Sequence, residues 1–172
     1  DSLVGYIYDS AIGAFDGCAN LTTLLTLAIA TIPANYAANC PNLNTVDIYS
    51  ATTVGDGAFF SSGTIYGVMA VNMPQAIIIV KDAFSGSGIT SVNCLACTTV
   101  GQYAFAFCSY LTTVNLPTAT SIGNTCFNAD SSLSSVSLVS CTNLGGTVGN
   151  NLVFDNIFGS TLTLSVSIVL QT

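Results

Sequence analysis

The chain has 172 residues and a net charge of −7, with only 5% charged side chains: eight aspartates, no glutamate, no arginine and the single lysine Lys81. That balance argues against nucleic acid and anionic membrane surfaces as partners, because phosphate recognition needs clustered cations. The longest apolar runs, Ala76–Val80 and the interrupted Leu24–Ile32, fall far short of the ~20 residues that cross a bilayer, so no membrane insertion is expected.

Residues 1–9 open the chain with an apolar, aromatic segment, Leu3-Val4-Gly5-Tyr6-Ile7-Tyr8, which reads as an edge. From residue 10 a phrase recurs. An aromatic slot is filled by Phe15, Ala37 (with Tyr36 beside it), Phe59, Phe84, Phe105 and Phe127, at spacings of 22, 22, 25, 21 and 22. An apolar triplet follows each slot: Leu21/Leu24/Thr26, Leu43/Val46/Ile48, Ile65/Val68/Ala70, Ile89/Val92/Cys94, Leu111/Val114/Leu116 and Leu133/Val136/Leu138. Two landmarks sharing one period imply units that bury their apolar faces only by stacking on one another.

The final V-x-L of each triplet is the period-2 signal of a strand with one buried face. The pattern therefore predicts a β-rich solenoid, a right-handed coil with one short parallel strand per ~22-residue repeat and neighbouring strands ~4.8 Å apart. Gly55, Gly101 and Gly123 are expected at turns of positive φ, and the A-F-x-x-C run is expected to form one helical or 3₁₀ turn. Residues 10–144 hold six clear repeats. Residues 145–172 hold a degenerate seventh, running through Phe154 to a terminal strand with Leu162, Leu164, Val166 and Ile168. The whole of 1–172 reads as a single solenoid domain.

The stretch Val100–Pro117, VGQYAFAFCSYLTTVNLP, with Asp9–Leu27 and Ile122–Leu138 close behind, resembles the BspA-like leucine-rich repeats, whose unit is I-G-x-x-A-F-x-x-C-x-x-L-x-x-V-x-L-P. The third and fourth units depart from it, with Ser62 and Ser87 in place of the cysteine. The resemblance implies an extracellular or cell-surface protein concerned with adhesion rather than catalysis. The start at Asp1 fits removal of a secretion signal.

Seven cysteines fall in columns that other repeats fill with small or apolar residues, so they read as buried soft hydrophobes. Only Cys18 and Cys40 share a column in adjacent coils, where a disulfide would fit. Cys94 and Cys97 lack a second pair and the chain has no histidine, so neither a metal site nor a cofactor is expected. Without histidine or glutamate, general acid–base chemistry would rest on aspartates. Asp16, Asp47, Asp56, Asp82, Asp130 and Asp155 occupy unlike repeat positions and read as solvated turn residues, with Asp82 beside Lys81 as a local ion pair. No catalytic residue is assigned.

What the coil offers is a surface. Thr23, Thr45, Gly67, Ser91, Thr113 and Ser135 precede the buried strand residue; Leu25, Asp47, Met69, Asn93, Asn115 and Ser137 follow it. The first column resembles an ice-binding ladder, but the second is mixed. A neutral face centred on Asp47, Asn93, Asn115 and Ser137 suits a glycan or a surface protein. The second class of role is structural. Neither end carries the lysine, proline or polar cap that protects a sheet edge; Leu3, Tyr6 and Tyr8 at one end and Leu164, Val166 and Ile168 at the other are candidate junctions of a head-to-tail homopolymer. This filament reading is the primary expectation and the binding module its alternative. Asn20-Leu21-Thr22 is a glycosylation sequon, and exposed hydroxyl pairs such as Thr52/Thr53 and Thr112/Thr113 are further candidates for sugars.

Overall fold

The structure, a computed structural model, describes residues 4–6, 11–26, 28–65, 67–145, 153–154 and 163–166. Its strands in chain order are β1 (Val4–Tyr6), β2 (Thr23–Leu25), β3 (Thr31–Ile32), β4 (Thr45–Asp47), β5 (Thr53–Val54), β6 (Ala70–Asn72) and β7 (Ile78–Ile79). They continue as β8 (Ser91–Asn93), β9 (Thr99–Val100), β10 (Thr113–Asn115), β11 (Ser121–Ile122), β12 (Ser135–Leu138), β13 (Asn143–Leu144) and β14 (Thr163–Val166). All of the pairings are parallel, between the same positions of successive coils. The chain is a parallel β-solenoid.

Each coil carries two strands rather than the one expected. The three- or four-residue strands form one wall, in the order β1-β2-β4-β6 and then, beyond a break, β8-β10-β12-β14. The two-residue strands form a second, unbroken wall, β3-β5-β7-β9-β11-β13. Its strands are pairs such as Thr53–Val54 and Thr99–Val100, whose second residue is buried in column with Ile32, Ile79 and Ile122. Two residues are too few to show alternation, which is why the hydrophobic period left them unread.

Gly55, Gly101 and Gly123, which follow strands of this wall, are not at the positive φ expected of them. Their role is close approach: a Cβ on Gly55 would lie 2.5 Å from the Ile32 carbonyl oxygen, and one on Gly101 would lie 2.5 Å from the Lys81 nitrogen. The A-F-x-x-C run forms hydrogen-bonded turns, and no helix occurs among the described residues. Here alternate N–H groups donate to the next coil, as from Phe15 to Tyr36 (2.8 Å), Phe59 to Ala83 (2.7 Å) and Phe105 to Cys126 (3.0 Å). This third wall satisfies its donors between coils, so it has no need of helical bonds.

The break in the first wall comes from the third coil. The expected triplet there is wrong: Ile65 and Val68 are about half exposed, whereas Met69 and Met73 are buried with Val71 between them. This M-x-V-x-M is one residue shorter than L-x-x-V-x-L. Val71 pairs with Val46 on one side, while Met69 bridges Ile89 on the other. Continuing from that bridge would set Val71 against Ser91 instead of Val92, so β6 cannot be in register with both neighbours.

Inside, the aromatic slot becomes a column. Phe59, Phe84, Phe105, Phe127 and Phe154 stack with centroids 5.2–5.8 Å apart, offset-stacking distances that add to their area burial. Where Ala37 interrupts the column, Tyr36 meets Phe15 edge-on. Phe154 stacks on Phe127, and β14 pairs in register with β12.

The cysteine slot has a task of its own. The Cys40 thiol donates to the Phe15 carbonyl (3.0 Å), the Ser62 hydroxyl to the Ala37 carbonyl (2.6 Å) and the Cys108 thiol to the Phe84 carbonyl (3.1 Å). Cysteine and serine alternate there because both can donate. All seven cysteines are free, six of them buried; Cys18 is half-buried. Burial pushes the Cys40 thiol up to about 11.

Candidate functional site

Among the described aspartates, Asp130 is the one whose expected solvation fails. It occupies the cysteine slot of the sixth coil, fully buried, where its Oδ1 accepts the Cys108 N–H at 2.8 Å and its Oδ2 has no partner. Desolvation pushes its carboxyl up to about 8, the hydrogen bond from Cys108 opposing this. A protonated carboxyl can donate, as cysteine and serine do at this slot. Asp16 and Asp56 are exposed, Asp47 and Asp82 half-buried, and Asp155 lies outside the described residues.

The predicted strand face is assembled in two blocks. Thr23, Thr45 and Ala70 align in one; Ser91, Thr113, Ser135 and Thr163 align in the other. Gly67 and Met69 are buried outside this face, and Ala70 and Asn72 take the places assigned to them. The second column is occupied with itself: Asn72 donates to Asp47 (3.1 Å) and Asn115 to Asn93 (2.9 Å), with Ser137 next in register.

Many corner hydroxyls are likewise engaged. Thr52, Thr98, Thr120 and Thr142 each donate to a carbonyl of the preceding coil, as do Thr112 and Ser134 at a second corner. Asn20 is exposed in a turn. Of the proposed junction residues, Tyr6 lies in β1 and Leu164 and Val166 in β14, while Leu3, Tyr8 and Ile168 lie outside the described residues.

The feature the sequence reading missed lies on the turn wall. Each turn needs a left-handed residue two positions before and two positions after its aromatic slot. The first column is Gly13, Asn35, Gly57, Asp82, Tyr103 and Thr125; the second is Gly17, Asn39, Ser61, Gly86, Phe107 and Ala129, all at positive φ. Glycine and asparagine suit this conformation, and a bulky side chain there is an outlier. Among the described coils, only the fifth puts large rings at both positions, Tyr103 (φ 56°) and Phe107 (φ 61°).

Those two rings face a cleft of about 570 Å³, a size typical of ligand sites. Phe60 of the third coil is also in its lining, and the small Ser85 and Gly86 of the fourth coil lie between. Lys81 and Asp82 complete the lining, Nζ 3.0 Å from Oδ2. Phe60 and Phe107 are 41% and 54% exposed, so the rings are available from solvent. Acceptance of the Lys81 ammonium by Asp82 raises the lysine above its ordinary range. The signal for this site was present in the sequence as two aromatics in columns otherwise held by small, polar or acidic residues.

The profile of the BspA type leucine-rich repeat region matches residues 6–77 and 30–154, in six copies, and the chain belongs to that family. A crystal structure of a leucine-rich repeat protein from Bacteroides ovatus is similar, with 24% identity and a TM-score of 0.65 over 77% of this chain. A leucine rich cell surface protein from Faecalibacterium prausnitzii is similar over 89% of this chain, with 17% identity and a TM-score of 0.50. The matches span 39% and 57% of those two chains. No curated protein matches the sequence.

Proposed function

We propose that the chain is a non-catalytic binding module of an extracellular, cell-surface protein, and that the turn-wall cleft is where it binds. The observation that carries this reading is the fifth coil, which keeps two large rings in a strained backbone conformation at the edge of a solvent-facing cleft. Strain of that kind costs on the order of 1–2 kcal/mol per residue and gathers where a side chain has a task besides folding. The amides of the strand face, in contrast, are bonded within their own column, Asn72 to Asp47 and Asn115 to Asn93. Family membership fits a binding or structural role. The test is an array of immobilised glycans and matrix proteins probed with the wild-type chain and with a Phe60→Ser/Tyr103→Asn/Phe107→Asn variant. A ligand captured only by the wild type supports the cleft; equal capture by the variant moves the site elsewhere.

One feature favours end-to-end assembly as a second reading. The turn-wall bonds cited above all run from the N–H groups of one coil to the carbonyls of the next, so the wall is directional, and β14 ends its sheet in register with β12. A directional stack suits a heterologous, head-to-tail junction. Sedimentation velocity at increasing concentration should then show growing mass, and a coefficient that stays constant would end this reading.

A further inference from the structure

The ligand class can be argued from the chemistry of the cleft, and this inference rests on the binding-module reading above. We infer that the cleft takes a neutral glycan, with the apolar C–H face of a pyranose ring laid on Phe107 or Phe60 and its hydroxyl rim directed at Asp82 and Lys81.

Charge narrows the choice first. Lys81 is the chain's only cation and is already bonded to Asp82 at 3.0 Å, against a net charge of −7. An anionic ligand would meet repulsion from the molecule as a whole and would have to compete with Asp82 for the one ammonium. A cationic ligand would meet Lys81 itself, beside a carboxylate that already holds a positive partner. The pair therefore presents a net-neutral donor and acceptor side by side. A neutral polyol uses that combination, since each of its hydroxyls both donates and accepts.

Shape narrows it further. A wholly apolar ligand would use the rings but cover Lys81 and Asp82 without replacing their water, at a cost in desolvation. A ligand with an apolar face and a polar rim avoids that cost. The small residues of the fourth coil make the recess: Gly86 sits at φ 68°, and a Cβ there would lie 3.3 Å from the Ser61 hydroxyl. Coils three and five stand two repeats apart, about 10 Å at the usual spacing of paired strands, which leaves room for one ring unit between Phe60 and Phe107.

The backbone supplies a test that a purely structural role for the rings would fail. Asparagine already occupies both left-handed columns, at Asn35 and Asn39. Tyr103→Asn and Phe107→Asn should therefore relieve strain while removing the stacking surface. Calorimetric titration would use maltotetraose, cellotetraose and tetra-N-acetylchitotetraose as neutral probes and a heparin-derived tetrasaccharide as the anionic one. At least one neutral probe should bind the wild type, either asparagine variant should weaken it about tenfold or more, and the melting temperatures of both variants should equal or exceed the wild type. Phe60→Ser, outside the left-handed columns, should weaken the same probe. Preferential binding of the heparin fragment, or of no probe while a protein is captured through the cleft on the array, overturns the glycan assignment and leaves the binding module standing. Lower melting temperatures in both asparagine variants would show that the rings serve the fold, and would overturn both.

Discussion

Asp130 shows how a single residue can depart from the rule of its column. Cys40, Ser62 and Cys108 in this slot donate to the coil before; Asp130 sits there fully buried, and its carboxyl is pushed up to about 8 from an ordinary 3.8. The folded chain thus holds a proton that the unfolded chain gives up near pH 4, so the contribution of Asp130 favours the fold at low pH and falls as pH rises from about 4 to about 8. The difference is on the order of 5 kcal/mol. Cys108 and Cys126 face the same interior and are themselves pushed up by burial, so they stay neutral across that window. Asp130→Ser, which copies Ser62 and Ser87, should flatten the dependence and stabilise the fold near pH 8; thermal melts across the range would show it. An unchanged slope would mean that Asp130 does not titrate in the fold. From the sequence, Asp130 looked like a turn aspartate, because its column identity appears only after counting back 22 residues to Cys108.

At the scale of the strand and turn, hydrophobic periodicity revealed the buried columns and concealed the elements that lacked a period. The L-x-x-V-x-L strands were legible wherever the triplet was intact, and β8, β10 and β12 lie where it placed them. The third coil departs from the expected triplet because its 25-residue spacing contains both an insertion and a shortened triplet, and the apolar Ile65 and Val68 give a false match. The stacked phenylalanines give the clearest energetic test. Phe84→Ala removes a fully buried ring held between Phe59 and Phe105 and should cost about 3–5 kcal/mol. Phe15→Ala, at a half-buried position with one edge-on neighbour, should cost clearly less. Urea midpoints of the two variants would rank them; equal losses would contradict the stacking account.

For the molecule as a whole, the solenoid and its family are legible in the sequence, whereas the turn-wall cleft is not. Exposed hydroxyls and amides drew attention to the strand face, where the structure shows Asn115 bonded to Asn93 and Asn72 to Asp47. The turn wall is not legible in the sequence because an A-F-x-x-C run reads as a helical turn, and a helix would not place Tyr103 and Phe107 at left-handed positions beside a recess. Once the turns are seen to bond from coil to coil, the same residues define a cleft with an ion pair at its margin. Under the binding-module reading, the ligand meets this cleft and not the strand face. The most direct measurement is a map of backbone amide shifts on titration with the ligand that the array identifies. Shifts concentrated at Ser61, Asp82, Ser85, Gly86, Tyr103 and Phe107 are the predicted result; shifts concentrated at Thr45, Asn93, Thr113 and Asn115 would contradict it.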